Sequence, residues 1–319
     1  MTNGDLLVVD NLKKSFQIRD KTGRRKLLRA VDGVSLSVAR GETLGLVGES
    51  GCGKTTLGRT ILRLSEPDSG KITFAGDDIT HVNMHPYRKR MQIVFQDPYS
   101  SLDPRSRIYN TVEEGLKANH PMFDTQQRRN IVLGLLESVG LDSSHAYRYP
   151  HEFSGGQQQR IGIARALSVE PEFIVCDEPV SALDVSYQAQ ILSLFRELQE
   201  TLRLTYLFIS HDLSVVRYIS DRIGVMYLGK LIELGTSEEV TRNPAHQYTR
   251  ALLDAVPLSD PRAKRNAEHK TVDDATDFSI PERGCRYCNL CEKAVPRCFE
   301  EEPELREVAP GHSCACHVL

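Results

Sequence analysis

The chain has 319 residues, 40% of them hydrophobic and 26% charged, and its 40 Lys+Arg against 43 Asp+Glu leave a formal net charge of −3. That composition suits one large or two ordinary globular domains, excludes a fibre or a disordered tail protein, and gives no bulk attraction to nucleic acid or anionic lipid. The longest uncharged apolar runs, such as Leu204 to Ser210 and Ile223 to Gly229, are about seven residues where a membrane-spanning helix needs about 20, and Met1 to Asp5 has no basic stretch leading into an apolar run, so neither a spanning helix nor a secretion signal is expected and the default setting is a reducing cytoplasm.

From Leu6 to about Gly235 short apolar runs alternate with amphipathic stretches, the pattern of an α/β domain. Lys13 to Ile18 and Lys26 to Val31 flank the polar turn Arg19 to Arg25 and predict a hairpin. Val34 to Val38 and Thr43 to Val47 read as strands. The second runs into Gly48-Glu49-Ser50-Gly51-Cys52-Gly53-Lys54-Thr55 and then the helix-like Thr56 to Leu64, which is the context a phosphate-binding loop needs. Its glycines let backbone N–H groups converge on phosphate oxygens at a helix N-terminus. Lys54 would pair with the β- and γ-phosphates, and the Thr55 hydroxyl would ligate Mg²⁺.

Further along, Tyr109 to Gly140 reads as strongly helical, with Val132, Leu133, Leu135, Leu136 and Val139 at apolar spacing, and predicts an inserted helical subdomain. Phe153-Ser154-Gly155-Gly156-Gln157 opens the helical Gln158 to Leu167 and makes a second anion cradle at a helix start. One chain with two cradles but a single Lys-Thr pair suggests that the second serves a nucleotide held by a partner subunit. The strand Phe173 to Cys176 ends in Asp177-Glu178, where α/β sheets place their sites. Asp177 would hold Mg²⁺ through water, and Glu178 would orient and polarise the attacking water. Gln188 to Leu202 predicts a helix burying Ile191, Leu194, Phe195, Leu198 and Leu202, and Tyr206 to Ile209 predicts a strand. Composition changes beyond Asn243, the charged, proline-containing Pro257 to Glu282 reads as a linker, and a domain edge is expected near Glu239. Six of the eight cysteines then fall after Gly284, where even scatter would put about one.

The phosphate loop, Phe-Ser-Gly-Gly-Gln, the Asp-Glu pair, Ser181-Ala182-Leu183-Asp184 and Ser210-His211-Asp212, in this order, resemble the nucleotide-binding subunit of an ATP-binding cassette transporter. The resemblance implies a P-loop core with an antiparallel β subdomain and a helical subdomain at about 98–168, the whole spanning 1–238. It implies that Gly48, Ser50, Gly51, Gly53, Lys54, Thr55 and Thr56 hold the phosphates of ATP and that Phe16 stacks on adenine. Gln96 would contact Mg²⁺ or water and couple to membrane subunits, and His211 would contact the γ-phosphate. Ser154, Gly155, Gly156 and Gln157 would complete the partner's site, and the Asp184 segment would communicate across the dimer.

A narrower resemblance rests on Val94 to Pro104, on Ile209 to Val216 and on Asn243 to Leu252, which look like the dipeptide and oligopeptide importer ATPases. In that family the last motif reads His-Pro-Tyr, and here Gln247 stands in place of the proline. The resemblance implies ATP hydrolysis that powers peptide uptake, or uptake of another solute such as a nickel chelate. It implies a peripheral place on the cytoplasmic face of the inner membrane, a second non-identical ATPase, two transmembrane permease subunits and an extracytoplasmic binding protein, and no nucleic-acid partner. The rival class is a soluble cassette ATPase acting on nucleic acid or ribosomes. Residues 239–319 correspond to the family's C-terminal region, with a cysteine-rich module at 284–319. There Cys285, Cys291, Cys298 and Cys316 occupy positions at which some members hold a four-iron four-sulfur cluster; zinc and unligated thiols stay open, and Cys288 and Cys314 are additional. Cys52 and Cys176 read as space-filling residues beside the nucleotide.

Overall fold

The structure, a computed structural model, describes residues 4–19, 23–255 and 283–319. The tip of the expected hairpin at 20–22 and the expected linker fall outside the described residues, apart from Arg19 and 23–25 at the hairpin's flanks. The architecture is mixed α/β and falls into two compact units, one made of 4–7, 37–43 and 73–209 and the other of 8–36, 44–72 and 210–319. Strands Asp5–Arg19 and Arg25–Ala39 contribute to both.

The first unit is built on three parallel strands, Met91–Val94, Phe173–Asp177 and Thr205–Ile209, with Met91 opposite Phe173 and Phe173 opposite Thr205. Every residue of the latter two strands is buried, as expected when helices cover both faces of a parallel sheet. Helix Val185–Leu202 starts at Asp184, whose carboxylate accepts the Tyr187 N–H at 3.1 Å, and buries Ile191, Leu192, Leu194, Phe195 and Leu198. Phe195 stands edge-on to Tyr206 and Phe208, at 5.6 and 5.8 Å between ring centroids. The expectation of a buried Leu202 fails: it is 54% exposed, because the helix ends there and Arg203 turns into the left-handed region at φ 56°. The stretch expected to be helical throughout Tyr109 to Gly140 is two helices, Ile108–Asn119 and Thr125–Ser138. Pro121 cannot continue the first, and Asp124 with Gln127 forms a capping box that starts the second. Both pack against helix Gly155–Leu167.

In the second unit, strand Thr43–Val47 contributes Leu44–Val47 parallel to Arg222–Tyr227, which turns through Leu228 and Gly229 into the antiparallel Lys230–Thr236. The cysteine-rich tail does not stand apart. Strand His312–Cys314 pairs antiparallel with Lys230–Thr236, placing Cys314 opposite Glu233, and Arg306–Ala309 pairs outside it. The sequence offered little warning, because these two short strands are mostly polar and lack a clear apolar alternation. Among the described residues no helix is long and apolar enough to cross a membrane.

Candidate nucleotide site

The second unit carries the phosphate loop. Strand Thr43–Val47 delivers the chain into it, and helix Lys54–Ile61 leaves it. The helix N-cap, Gly53, has φ 108° and no capping side chain, so the first N–H groups of the helix are left to the loop's concavity. A Cβ at Gly53 would lie 2.0 Å from the Ala30 carbonyl oxygen, so only glycine fits. Lys54 is 4% exposed, and its ammonium donates to the carbonyls of Gly48 at 2.6 Å and Glu49 at 2.9 Å. Its charge therefore lies inside the loop before any phosphate arrives. Burial raises the Cys52 thiol above its ordinary pKa against the opposing pull of Lys54, keeping it protonated and space-filling. Phe16 and His211 belong to the same unit. Phe16 is 40% exposed under the Lys14 ammonium, at 5.4 Å from the ring centroid, and so is no core aromatic. His211 is exposed just before Asp212, the N-cap of helix Leu213–Ile219.

The first unit carries the acidic pair at the end of strand Phe173–Asp177, where Asp177 and Glu178 are both buried. Gln96, beyond strand Met91–Val94, donates from Nε2 to Glu178 at 3.2 Å. Glu178 adopts φ +47°, which costs a non-glycine residue about 1–2 kcal/mol, and its N–H donates to the Ile209 carbonyl at 3.0 Å. A carboxylate held in a strained backbone at a strand end fits a positioned functional group. Ser154 caps helix Gly155–Leu167 through a reciprocal pair: its Oγ accepts the Gln157 N–H at 3.4 Å, and Gln157 Oε1 accepts the Ser154 N–H at 3.0 Å. On that helix the buried Gln159 donates to the Phe95 carbonyl at 3.4 Å, tying the Gln96 segment to the Ser-Gly-Gly-Gln helix. Asp184 is an N-cap too, and hydrogen bonds from Ser186 and the Tyr187 N–H hold its carboxyl below the ordinary range. Two expected pairs are in contact within the units, Lys54 with Gly48 in one and Gln96 with Glu178 in the other.

In the tail, Cys285, Cys288, Cys291, Cys298 and Cys316 line one small cavity with His246 and His317, and it leaves about 10 Å³, roughly the room of one water. Among the described residues no group of three or more His, Cys, Asp or Glu side chains is placed to hold a metal ion. Burial pushes the Cys285 thiol up to about 11 and raises Cys288 and Cys291 as well, so these groups are thiols at neutral pH. The structure thus brings Cys285, Cys291, Cys298 and Cys316 to one cavity, with Cys288 beside them, in an arrangement that is not itself a metal site.

Sequence reasoning missed a polar network behind the phosphate loop. Glu233 has no exposed surface, and its carboxylate accepts the N–H groups of Ala245 at 2.7 Å and His246 at 2.9 Å and the Thr249 hydroxyl at 2.5 Å, with His312 Nε2 at 2.8 Å. A lone Glu in the apolar strand Leu231-Ile232-Glu233-Leu234 was the available signal, since a buried carboxylate needs partners. His246 Nδ1 accepts the Tyr248 N–H at 3.0 Å, and burial pushes the imidazole down to about 4 despite the pull of Glu233. The unfolded chain takes up this proton from about pH 6.5 downward, so the stability owed to neutral His246 is complete above that pH and lost as pH falls toward 4. The loss reaches about 2 kcal/mol by pH 5 at 1.36 kcal/mol per unit. Urea denaturation at pH 7 and pH 5 is expected to show it, with a smaller pH difference in His246→Gln.

A family model described as "ABC transporter" matches residues 31–181, and one described as "Oligopeptide/dipeptide transporter, C-terminal region" matches residues 232–298. Oligopeptide transport ATP-binding protein AppF of Bacillus subtilis (strain 168) is 51% identical over 98% of this chain and 97% of its own length, and OppF of the same organism is 48% identical over 98% and 96%. A putative peptide import ATP-binding protein of Brucella ovis is 49% identical over 99% and 98%. Among solved structures, cbiO1 from Clostridium perfringens, part of the ABC transporter complex cbiONQ, superposes with TM-score 0.64 at 29% identity over 75% of this chain and 91% of that one. The ATP-binding cassette MJ0796, a dimer bound to ADP and Pi, superposes with TM-score 0.65 at 27% identity over 72% and 98%. With the phosphate loop, the acidic strand end and near full-length similarity in agreement, this chain belongs to the oligopeptide transport ATP-binding proteins, the ATPases of ABC transporters.

Proposed function

We propose that this chain hydrolyses ATP at the cytoplasmic face of a membrane to power the import of di- or oligopeptides. The observation that carries the reading is the inward-held Lys54 at the mouth of a glycine loop that tolerates no side chain at Gly53, in a chain whose relatives are named for oligopeptide transport and, in one case, putative peptide import. The loop N–H groups and Lys54 would bind the β- and γ-phosphates, with Gly48, Ser50, Gly51, Gly53, Thr55 and Thr56 forming the cradle. Phe16 would stack on adenine and His211 would contact the γ-phosphate. By the family resemblance, Thr55 would offer Mg²⁺ a hydroxyl oxygen, and Asp177 and Gln96 would offer a carboxylate and an amide oxygen; the ion, when bound, neutralises phosphate charge. Glu178 would hold the attacking water and take its proton.

Ser154 to Gln157 and Asp184 would act on the nucleotide of a second, non-identical ATPase. Two cradles with one Lys-Thr pair support that arrangement, which the family resemblance extends to two permease subunits and a binding protein. Because nucleotide adds its binding free energy only to the closed pair, closure can move the membrane subunits and hydrolysis can release them. The iron–sulfur reading of the tail draws no support from the cysteine geometry, and no step runs through such a cluster. The helical and antiparallel β subdomains of the cassette, and a C-terminal region from 239, remain part of this proposal.

The reading is tested by co-expressing the chain with the second ATPase and the permeases that it requires and reconstituting them in proteoliposomes with a peptide-binding protein. ATP-dependent uptake of a labelled tri- or pentapeptide is expected. ATP hydrolysis without peptide uptake, or recovery of the chain with ribosomes or nucleic acid instead of membranes, would refute it.

A further inference from the structure

Two contacts in the second unit grip the backbone of the phosphate loop from residues far along the chain. Tyr248, only 2% exposed, accepts the Glu49 N–H on its hydroxyl at 2.9 Å. Gly229 donates its N–H to the Cys52 carbonyl at 2.7 Å. A planar trans peptide points its C=O and N–H in opposite directions, so each grip fixes the other end of its peptide. With the Glu49 N–H on Tyr248, the Gly48 carbonyl points the other way, where it accepts Lys54 at 2.6 Å. With the Cys52 carbonyl on Gly229, the Gly53 N–H at the other end of that peptide points away from Gly229.

Both grips are held by adjacent residues of the cysteine-rich tail. Tyr287 stands edge-on to Tyr248 at 5.5 Å and to Tyr227 at 5.4 Å, closing a three-ring cluster around the Tyr248 phenol. Arg286 donates to the Leu228 carbonyl, next to Gly229, and to the Asp32 carboxylate, while the Asp32 N–H donates to the Gly229 carbonyl at 2.9 Å. Arg286 is itself 9% exposed. A buried ion pair adds little net stability but holds its partners in one arrangement, which suits a fixing role. The Arg286-Tyr287 pair is in turn locked by the Cys285 N–H to the Cys298 carbonyl at 2.7 Å and the Cys288 N–H to the Cys285 carbonyl at 3.1 Å.

We infer that Tyr248 and the Arg286-Tyr287 pair form a clamp that sets the peptide planes of the phosphate loop, so that the tail governs the affinity for ATP. These are positioning residues, and the inference rests on the reading of the loop as the nucleotide site. Its test uses the full chain with Tyr248→Phe, which keeps the ring and removes the acceptor, and with Arg286→Gln. Affinity for N-methylanthraniloyl-ATP is expected to fall about 3- to 10-fold in each, the effect of one net hydrogen bond, with turnover at saturating ATP within about twofold of wild type. Deuterium exchange in the peptide carrying Glu49 to Thr55 is expected to quicken in both, which a remote loss of stability would not single out. Wild-type affinity in Tyr248→Phe overturns the inference, whether or not its melting temperature falls, and decides the matter should Arg286→Gln fail to fold. Lys54→Ala in the same assay separates the two readings. If it also binds like wild type, the nucleotide assignment fails; if it alone loses binding, only the clamp fails.

Discussion

Replacing Glu178 by Gln is expected to lower ATP turnover by about 10²- to 10⁴-fold while leaving ATP affinity within about twofold of wild type. Glutamine keeps the length and planarity of the side chain and an oxygen able to accept from Gln96 Nε2, now at 3.2 Å, so the local packing survives. What it removes is the capacity to take a proton from water. The backbone strain at φ +47° is unchanged, because both residues carry the same Cβ. With hydrolysis blocked and binding intact, the variant is also expected to accumulate as a nucleotide-bound dimer with its partner ATPase on size-exclusion chromatography. Normal turnover in Glu178→Gln would remove the assigned role and point to another base.

Lys54→Ala is expected to cost about 10- to 100-fold in ATP affinity and to bring hydrolysis to background. The estimate follows from losing a charge-assisted hydrogen bond to phosphate, worth about 1.5–3 kcal/mol, with a further penalty as charge builds on the γ-phosphoryl oxygens. The buried ammonium already rests on two loop carbonyls, so binding exchanges those acceptors for phosphate oxygens without bringing a charge out of water. Titration calorimetry with ATP and Mg²⁺ checks the affinity, and phosphate release checks the rate. Because Ala leaves the Gly48 and Glu49 carbonyls without that donor, Lys54→Arg is the companion: it restores a cation at the loop but with a larger, planar head. Partial recovery of affinity in Lys54→Arg with wild-type melting would tie the loss to charge at the phosphates.

The nucleotide machinery was legible because its chemistry is local. A strand followed within eight residues by three glycines, a lysine and a threonine is one contiguous device, and so are the capped helix start at Ser154 and the strand ending in Asp177-Glu178. Contiguous devices leave contiguous signatures. The buried strands Thr43–Val47, Phe173–Asp177 and Thr205–Ile209 were equally readable as unbroken apolar runs. Errors came where one residue overrode a periodicity, as at Pro121 within the helical 109–140 and at Arg203 beyond Leu202.

By itself, then, the sequence determined the α/β class, the phosphate loop with its lysine, the catalytic carboxylate candidate and the family. The tertiary structure alone decided that the cysteine-rich tail is woven into the second unit by strand His312–Cys314, that Glu233 is a buried hub, that Tyr248 reaches a loop residue 199 positions away in sequence, and that Arg286 joins Asp32 to the Leu228 carbonyl. The physical reason is that burial and hydrogen-bond partnership across such separations depend on which chain segments pack together. A Glu, a Tyr or an Arg carries no mark in its own neighbourhood of the partner it will meet, whereas a glycine loop carries its function in the backbone it permits.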